Sequence, residues 1–183
     1  MSDATPGRLG TLRFSRALDY PELLAPPVLV ALSALDGADH VGVAEIDPAL
    51  ADTAAFCDRY GVRPDESANC VVVAGRREGT TTRAACVVLA TTRADVNGIV
   101  RRRLDARKVS FAPVDQAVAD TGMEFGGITP IGLPAGWPVL VDEVVAHHRQ
   151  VVVGSGLRAS KLLVPGHVLA SLPFAEVTAQ LGR

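Results

Sequence analysis

Two valine-rich apolar runs, residues 68–74 and 84–90, stand close together in the chain, joined through Gly75-Arg76-Arg77-Glu78-Gly79. Runs this short and this rich in β-branched side chains read as buried strands. The charged segment between them, bracketed by glycines, reads as a hairpin loop. Strands joined this way pair antiparallel, because a parallel pairing needs a crossover of a dozen or more residues. The chain therefore does not alternate strand and helix strictly, which argues against a doubly wound parallel sheet.

Other elements arrange themselves around that hairpin. Residues 1–10 read as a loose tail, and 20–35 as a helix interrupted at 25–27 by Pro26 and Pro27. Residues 41–46 read as a strand. Asp47-Pro48 opens a helix, since Asp accepts N–H bonds that the first turn leaves free and Pro is tolerated at its first position. Leu50, Ala54, Cys57 and Tyr60 form its inner face, and Gly61 stops it. Asp95 caps a further helix with Val96, Ile99, Val100 and Leu104 inward and its arginines outward. Next come a strand over 108–112, a short helix over 113–121 ended by Gly122, and a Gly/Pro-rich segment over 126–138. Strands at 139–141, 150–153 and 161–164 and a last helix over 165–172 complete the chain. The fold class is α+β: a mixed, largely antiparallel sheet flanked by helices, in one domain over residues 1–183.

With 183 residues, 48% of them hydrophobic, the chain has the length and apolar content for a folded core. No apolar run approaches the roughly 20 residues a spanning helix needs. The first ten residues lack the basic-then-apolar layout of a signal peptide, so a soluble, cytoplasmic protein is expected. Cys57, Cys70 and Cys86 show no C-x-x-C or zinc spacing and read as reduced, packed thiols. A net charge of −2 hides a segregated distribution. Nine cations fall between Arg76 and Lys108, against only Glu78, Asp95 and Asp105. Such a face attracts a phosphate backbone, or is a plain solvated surface. Its candidate nucleic-acid contacts are Arg76, Arg77, Arg101, Arg102 and Arg103.

Three segments could carry chemistry. Gly154-Ser155-Gly156-Leu157-Arg158-Ala159 comes directly after a strand and fits the dinucleotide fingerprint G-x-G-x-x-[GA]. The chain left after it is too short for the rest of a nucleotide-binding half, and Pro165-Gly166 breaks the helix that should hold a pyrophosphate. It reads instead as a tight turn between two strands, open to close approach by a backbone or a ligand. The second segment, Thr121 to Pro134, carries Gly126-Gly127 and then Pro130. Adjacent glycines expose main-chain N–H groups, and Pro130 and Pro134 stiffen the backbone beyond them, which suits a carbonyl or phosphate oxygen. In the third, Glu143 and His147 stand four residues apart without a third ligand in spacing, so an exposed helical turn is read there rather than a metal.

Taken in order, three parts of the chain resemble the YbaK / prolyl-tRNA synthetase-associated editing domain family over about residues 40–175. They are Thr121-Gly122 with Gly126-Gly127-Ile128-Thr129-Pro130-Ile131-Gly132, then Pro138-Val139-Leu140-Val141-Asp142, then Val151-Val152-Val153-Gly154-Ser155-Gly156. The resemblance implies a strongly twisted, barrel-like mixed sheet flanked by helices. It implies hydrolysis, in trans, of the ester of a mischarged aminoacyl-tRNA, such as an amino acid wrongly attached to proline tRNA. No metal or organic cofactor is expected, and a terminal ribose hydroxyl of the tRNA helps to orient the attacking water. Residue by residue, it puts Asn69, Gly126, Gly127, Thr129 and Pro130 at catalytic positions. It puts Ile128, Asp142, Gly154, Ser155 and Gly156 at substrate-binding ones.

The chain departs from the family at two places. Asn69 stands where the family carries a lysine, and Ala159 where it carries a later turn glycine. An amide offers neutral hydrogen bonds in place of a cation. A donor lost from an oxyanion site costs about 3–4 kcal/mol. Arg158 and Lys161 are the nearby cations that could compensate, unless both are ordinary surface side chains. The leading expectation is a trans-acting deacylase. A tRNA- or protein-binding module without catalysis is the alternative, and a hydrolase of small acyl esters is a third reading.

Overall fold

The computed structural model describes residues 7–183. The first sheet contains β1 (Gly7–Leu9), β2 (Leu12–Arg16), β3 (Gly42–Glu45), β8 (Val151–Gly154) and β9 (Ser160–Val164), in the order β1-β2-β3-β9-β8. All its pairings are antiparallel, and it curls into a half-barrel. The second contains β4 (Ala68–Arg77), β5 (Thr80–Leu89), β6 (Lys108–Phe111), β7 (Val139–Asp142) and β10 (Ala175–Thr178), in the order β10-β7-β5-β4-β6. Here β7 runs parallel to both β5 and β10. The mixed, largely antiparallel α+β class read from the sequence is the fold observed.

One core is shared by both sheets. Val43, Val87, Val141, Val153 and Leu162 meet there beneath α1 (Pro26–Ser33), α5 (Glu143–Ala146) and α6 (Gly166–Ala170). Two smaller clusters lie outside it. Phe14, Phe56, Val152 and Leu163 fill the space between the first sheet and α2 (Thr53–Tyr60). Val73, Val88, Val100 and Leu140 pack the second sheet against the turn Val96–Val100 and its continuation α3 (Arg101–Arg103). The helix α4 (Val114–Thr121) ends at Gly122, as expected, and hands the chain to the Gly126-Gly127 segment. A parallel bridge from Ser67 to Val152 joins the sheets at one seam.

Several boundaries differ from the sequence reading. The expected tail is in part a strand: β1 pairs with β2 in a hairpin that the reading missed, while residues 1–6 lie outside the described residues. The helix expected over 20–35 begins only at Pro26, behind two single turns of 3-10 helix. Asp47 does cap, accepting the Ala49 N–H at 2.9 Å, but the turn it caps ends at Leu50. The helix proper starts at Thr53, so Phe56 and Cys57 face inward while Ala54 is exposed. The hairpin loop shrinks to Glu78-Gly79, because Arg76 and Arg77 stay paired with Thr81 and Thr80. β10, absent from the reading, adds a parallel edge beside β7.

Candidate active site

The seam between the sheets opens into a cleft of about 280 Å³. One wall is the start of β4, with Asn69, and another is the segment leading into α2, residues 51–53. Gly126 and Ile128 close it from above, and the end of β8 and Lys161 of β9 line its floor.

The glycines are there so that backbones can touch. Gly126 has φ +84°, a left-handed conformation that disfavours any side chain. A Cβ on Gly154 would stand 2.2 Å from the Gly127 carbonyl oxygen, and one on Gly127 would stand 2.6 Å from that of Leu157. The two glycine segments of the sequence therefore dock on each other. The Gly156 N–H donates to the Gly127 carbonyl at 2.7 Å, and the Glu124 N–H to the Gly156 carbonyl at 2.8 Å. Arg158 pins the assembly from outside: Nε donates to the Pro48 carbonyl at 3.1 Å and Nη1 to that of Phe125 at 3.0 Å.

Asn69 lies opposite Val88 in the hairpin and reaches the cleft. Its Oδ1 accepts the Thr53 hydroxyl at 2.7 Å, tying β4 to the first turn of α2. Its amide N–H groups have no partner among the described residues and remain available to a ligand.

Lys161 is no surface side chain: it is 7% exposed. It pairs across β8 with Gly154, and its stem crosses the Phe56 cluster, with Nζ 5.4 Å from the ring centroid. Nζ donates to the Ala51 carbonyl at 2.8 Å and lies 3.5 Å from the Gly126 carbonyl. Burial pulls its pKa down to about 8, opposed by Asp52 and Cys57 and reinforced by Arg158. At neutral pH it is still mostly an ammonium.

Of the residues the sequence singled out, the cleft thus brings together Asn69, Gly126, Ile128 and Gly154. Gly127, Ser155 and Gly156 stand behind it. Ser155 is wholly buried, its Oγ 2.7 Å from that of Ser160, and it shapes the turn. Thr129 is also wholly buried, with an Oγ1 that meets no partner among the described residues. Pro130 faces a separate apolar groove beside Trp137. Asp142 is away from the cleft. Its Oδ2 accepts the Gly182 N–H at 3.1 Å, so it ties β7 to the last residues of the chain, and burial raises its pKa. None of the four histidines lines the cleft, and His147 Nδ1 bonds the Glu143 carbonyl. Burial pushes up the thiols of Cys57, Cys70 and Cys86, as suits packed cysteines. Among the lining residues that the sequence reading did not place here are Asp52, Thr53, Ser67, Cys70 and Phe125. Their signal was weak, since nothing local marks a residue that reaches a site only through the seam.

Arg76, Arg77, Arg107 and Lys108 lie at the far end of the hairpin, and Arg101–Arg103 on α3. Eight residues of strand, about 26 Å, separate Asn69 from Arg77. Arg77 pairs with Asp105, Arg103 with Glu176 at 2.7 Å, and Arg101 Nε donates to the Asn97 carbonyl. Arg76, Arg102, Arg107 and Lys108 are exposed and have no ion pair among the described residues.

This architecture recurs in solved structures. One is a candidate trans-editing enzyme for prolyl-tRNA synthetase: TM-score 0.71, 21% identity, 85% of this chain and 94% of that one covered. A scaffold protein used for computational epitope grafting matches with TM-score 0.71, 22% identity and 85% and 95% coverage. A hypothetical protein matches with TM-score 0.64, 22% identity and 73% and 85% coverage. At such identities the likeness is one of fold. The family follows from the sequence itself: a model of the aminoacyl-tRNA editing domain matches residues 47–172, which include the cleft. The chain belongs to the aminoacyl-tRNA editing domain family. Its activity is accordingly that of an aminoacyl-tRNA deacylase.

Proposed function

We propose that the seam cleft holds the aminoacyl group of a mischarged tRNA and that its ester to the terminal ribose is hydrolysed there, in trans and in the cytoplasm. The observation that carries this is the convergence, in one cleft, of the Gly126–Ile128 backbone, the free amide donors of Asn69 and the Lys161 ammonium. Small aliphatic walls such as Ala51, Ala68, Val71 and Val152 suit a small amino-acid side chain, while polar groups meet the ester. A mischarged proline tRNA is the first substrate to try, by analogy with the trans-editing neighbour. The tRNA body would lie along the hairpin, with the unpaired Arg76, Arg102, Arg107 and Lys108 against its phosphates. No helix among the described residues is long and apolar enough to cross a membrane.

The test is incubation of the purified chain with a panel of mischarged tRNAs, following release of the amino acid. Release from at least one member, faster than in buffer, is the expected result. Binding without release from any of them would make the chain a tRNA-binding module.

A further inference from the structure

Lys161 is a buried cation that no anion neutralises by contact. Two of its three N–H groups face the Ala51 and Gly126 carbonyls. The third has no partner among the described residues. No described carboxylate lies within ion-pairing distance of it; Asp52, on the cleft rim, has a side chain 71% exposed. Burying an ammonium without a paired carboxylate is costly, and a smaller apolar side chain would fill the space above Phe56 without that cost. An unneutralised cation at the bottom of a cleft is the arrangement expected where an anionic oxygen arrives from outside.

We infer that Lys161 is a catalytic residue whose third N–H meets the ester carbonyl oxygen and stabilises the negative charge that oxygen takes up. This rests on the deacylase reading above. In the reaction the water oxygen bonds to the carbonyl carbon, and the C=O π pair moves onto the carbonyl oxygen. The pair then returns as the bond from carbon to the ribose oxygen breaks. One proton of the water goes to the leaving ribose oxygen, and the second leaves with the free amino acid's carboxyl group for solvent. Lys161 keeps all of its protons and acts as a donor only. Its depth selects the ester over a tRNA phosphate. A phosphate brings its hydrated neighbours with it and stays at the mouth, whereas a small acyl group reaches the floor beside Gly154.

The experiment measures kcat and KM on the best substrate of the mischarged panel for wild type, Lys161→Met and Lys161→Arg, with thermal unfolding alongside. Lys161→Met should lower kcat by roughly two to three decades, as for other lost oxyanion donors, with KM changed less than about threefold. Melting should hold or rise, because Met conserves volume. Lys161→Arg, which keeps the charge, should retain more activity than the Met variant. The charged or titratable groups that act on Lys161 are Asp52, Arg158 and Cys57. Once hydroxide hydrolysis is subtracted, the wild-type rate should turn down above about pH 8. A rise in KM with kcat intact would assign the ammonium to a phosphate and overturn the inference. Unchanged kinetics in Lys161→Met would overturn it too, leaving the deacylase reading in place. A wild type inactive on the whole panel would overturn both. Should Lys161→Met not fold, the wild-type profile decides: a corrected rate with no downturn through pH 9 overturns the inference.

Discussion

At the scale of single residues, the cleft combines a neutral amide on one strand with a buried ammonium on another. Asn69, which the sequence comparison set against a family lysine, leaves its amide N–H groups open to a ligand and accepts from Thr53, a bond a lysine could not accept. Lys161 enters the same cleft from the floor. Two ammonium groups there would repel, and one of them would lose its proton. Asn69→Lys alone is therefore expected to raise kcat less than about twofold and to lower the melting temperature, since Thr53 loses its acceptor. In a Lys161→Met background the same substitution should restore at least about tenfold in kcat, as a single donor regained at an oxyanion is worth that or more. Rate assays on the two single variants and the double variant check this. A second expectation concerns stability and pH. The unfolded chain keeps the Lys161 proton up to the ordinary value of 10.5, the folded chain only to about 8. Between those values the unfolded chain binds more protons, so stability rises with pH across that interval. Below about pH 8 the burial penalty is fully in force. The rise attributable to this residue is at most about 3 kcal/mol. Urea titrations at pH 7.5 and pH 10 should show it in wild type and not in Lys161→Met.

Among the elements, the β4–β5 hairpin was the most legible part of the chain, because two apolar runs and a short gap leave one pairing direction. Its loop was read too long. Arg76 and Arg77 look like loop residues by charge, yet at an exposed strand end charge costs nothing, and pairing continues to Thr80. The remaining turn has Glu78 at φ 49° and Gly79 at φ 81°. Two-residue hairpin turns favour Asn before Gly for this reason, and Glu tolerates a left-handed conformation poorly. Glu78→Asn should raise stability by about 0.5–1 kcal/mol without touching kcat, since the turn is some 26 Å from Asn69. Thermal melting with a rate assay tests both parts. β1, β2 and β10 were not legible. Gly7–Leu9 and Ala175–Thr178 are short edges with no clear alternation of buried and exposed side chains, and only their neighbours make them strands. The glycine segments were legible as special backbone, but their mutual docking was not. A Gly154 Cβ would collide with the Gly127 carbonyl, and that contact spans parts of the sequence with no local sign of each other. Lys161 was ambiguous for the same reason: a lone lysine in a short strand reads as surface until its register against Gly154 is known.

For the whole molecule, charge and cleft are separated along one strand pair, with the cleft at the end where Asn69 faces Val88 and the unpaired cations toward the Arg77 end. If the tRNA spans both, replacing Arg76, Arg102, Arg107 and Lys108 by Gln should weaken binding and reduce the slope of log affinity against log salt by roughly 3. The hydrolysis rate at saturation should stay within about twofold. Filter binding at several salt concentrations, beside single-turnover rates, measures both; an unchanged slope would make this end of the hairpin a solvated face. The seam that creates the cleft also dictates when the cleft can exist. Lys161 meets the Ala51 carbonyl across 110 positions of chain, and the Ser160 hydroxyl meets the Leu23 carbonyl across 137. During synthesis Asn69 and Gly126 leave the ribosome well before the strand that supplies the floor. A nascent chain can complete its first hairpin early, because that pairing is local, whereas the floor waits on closures that are slow in proportion to their separation. The cleft is thus incomplete until β9 has emerged and inserted between β3 and β8.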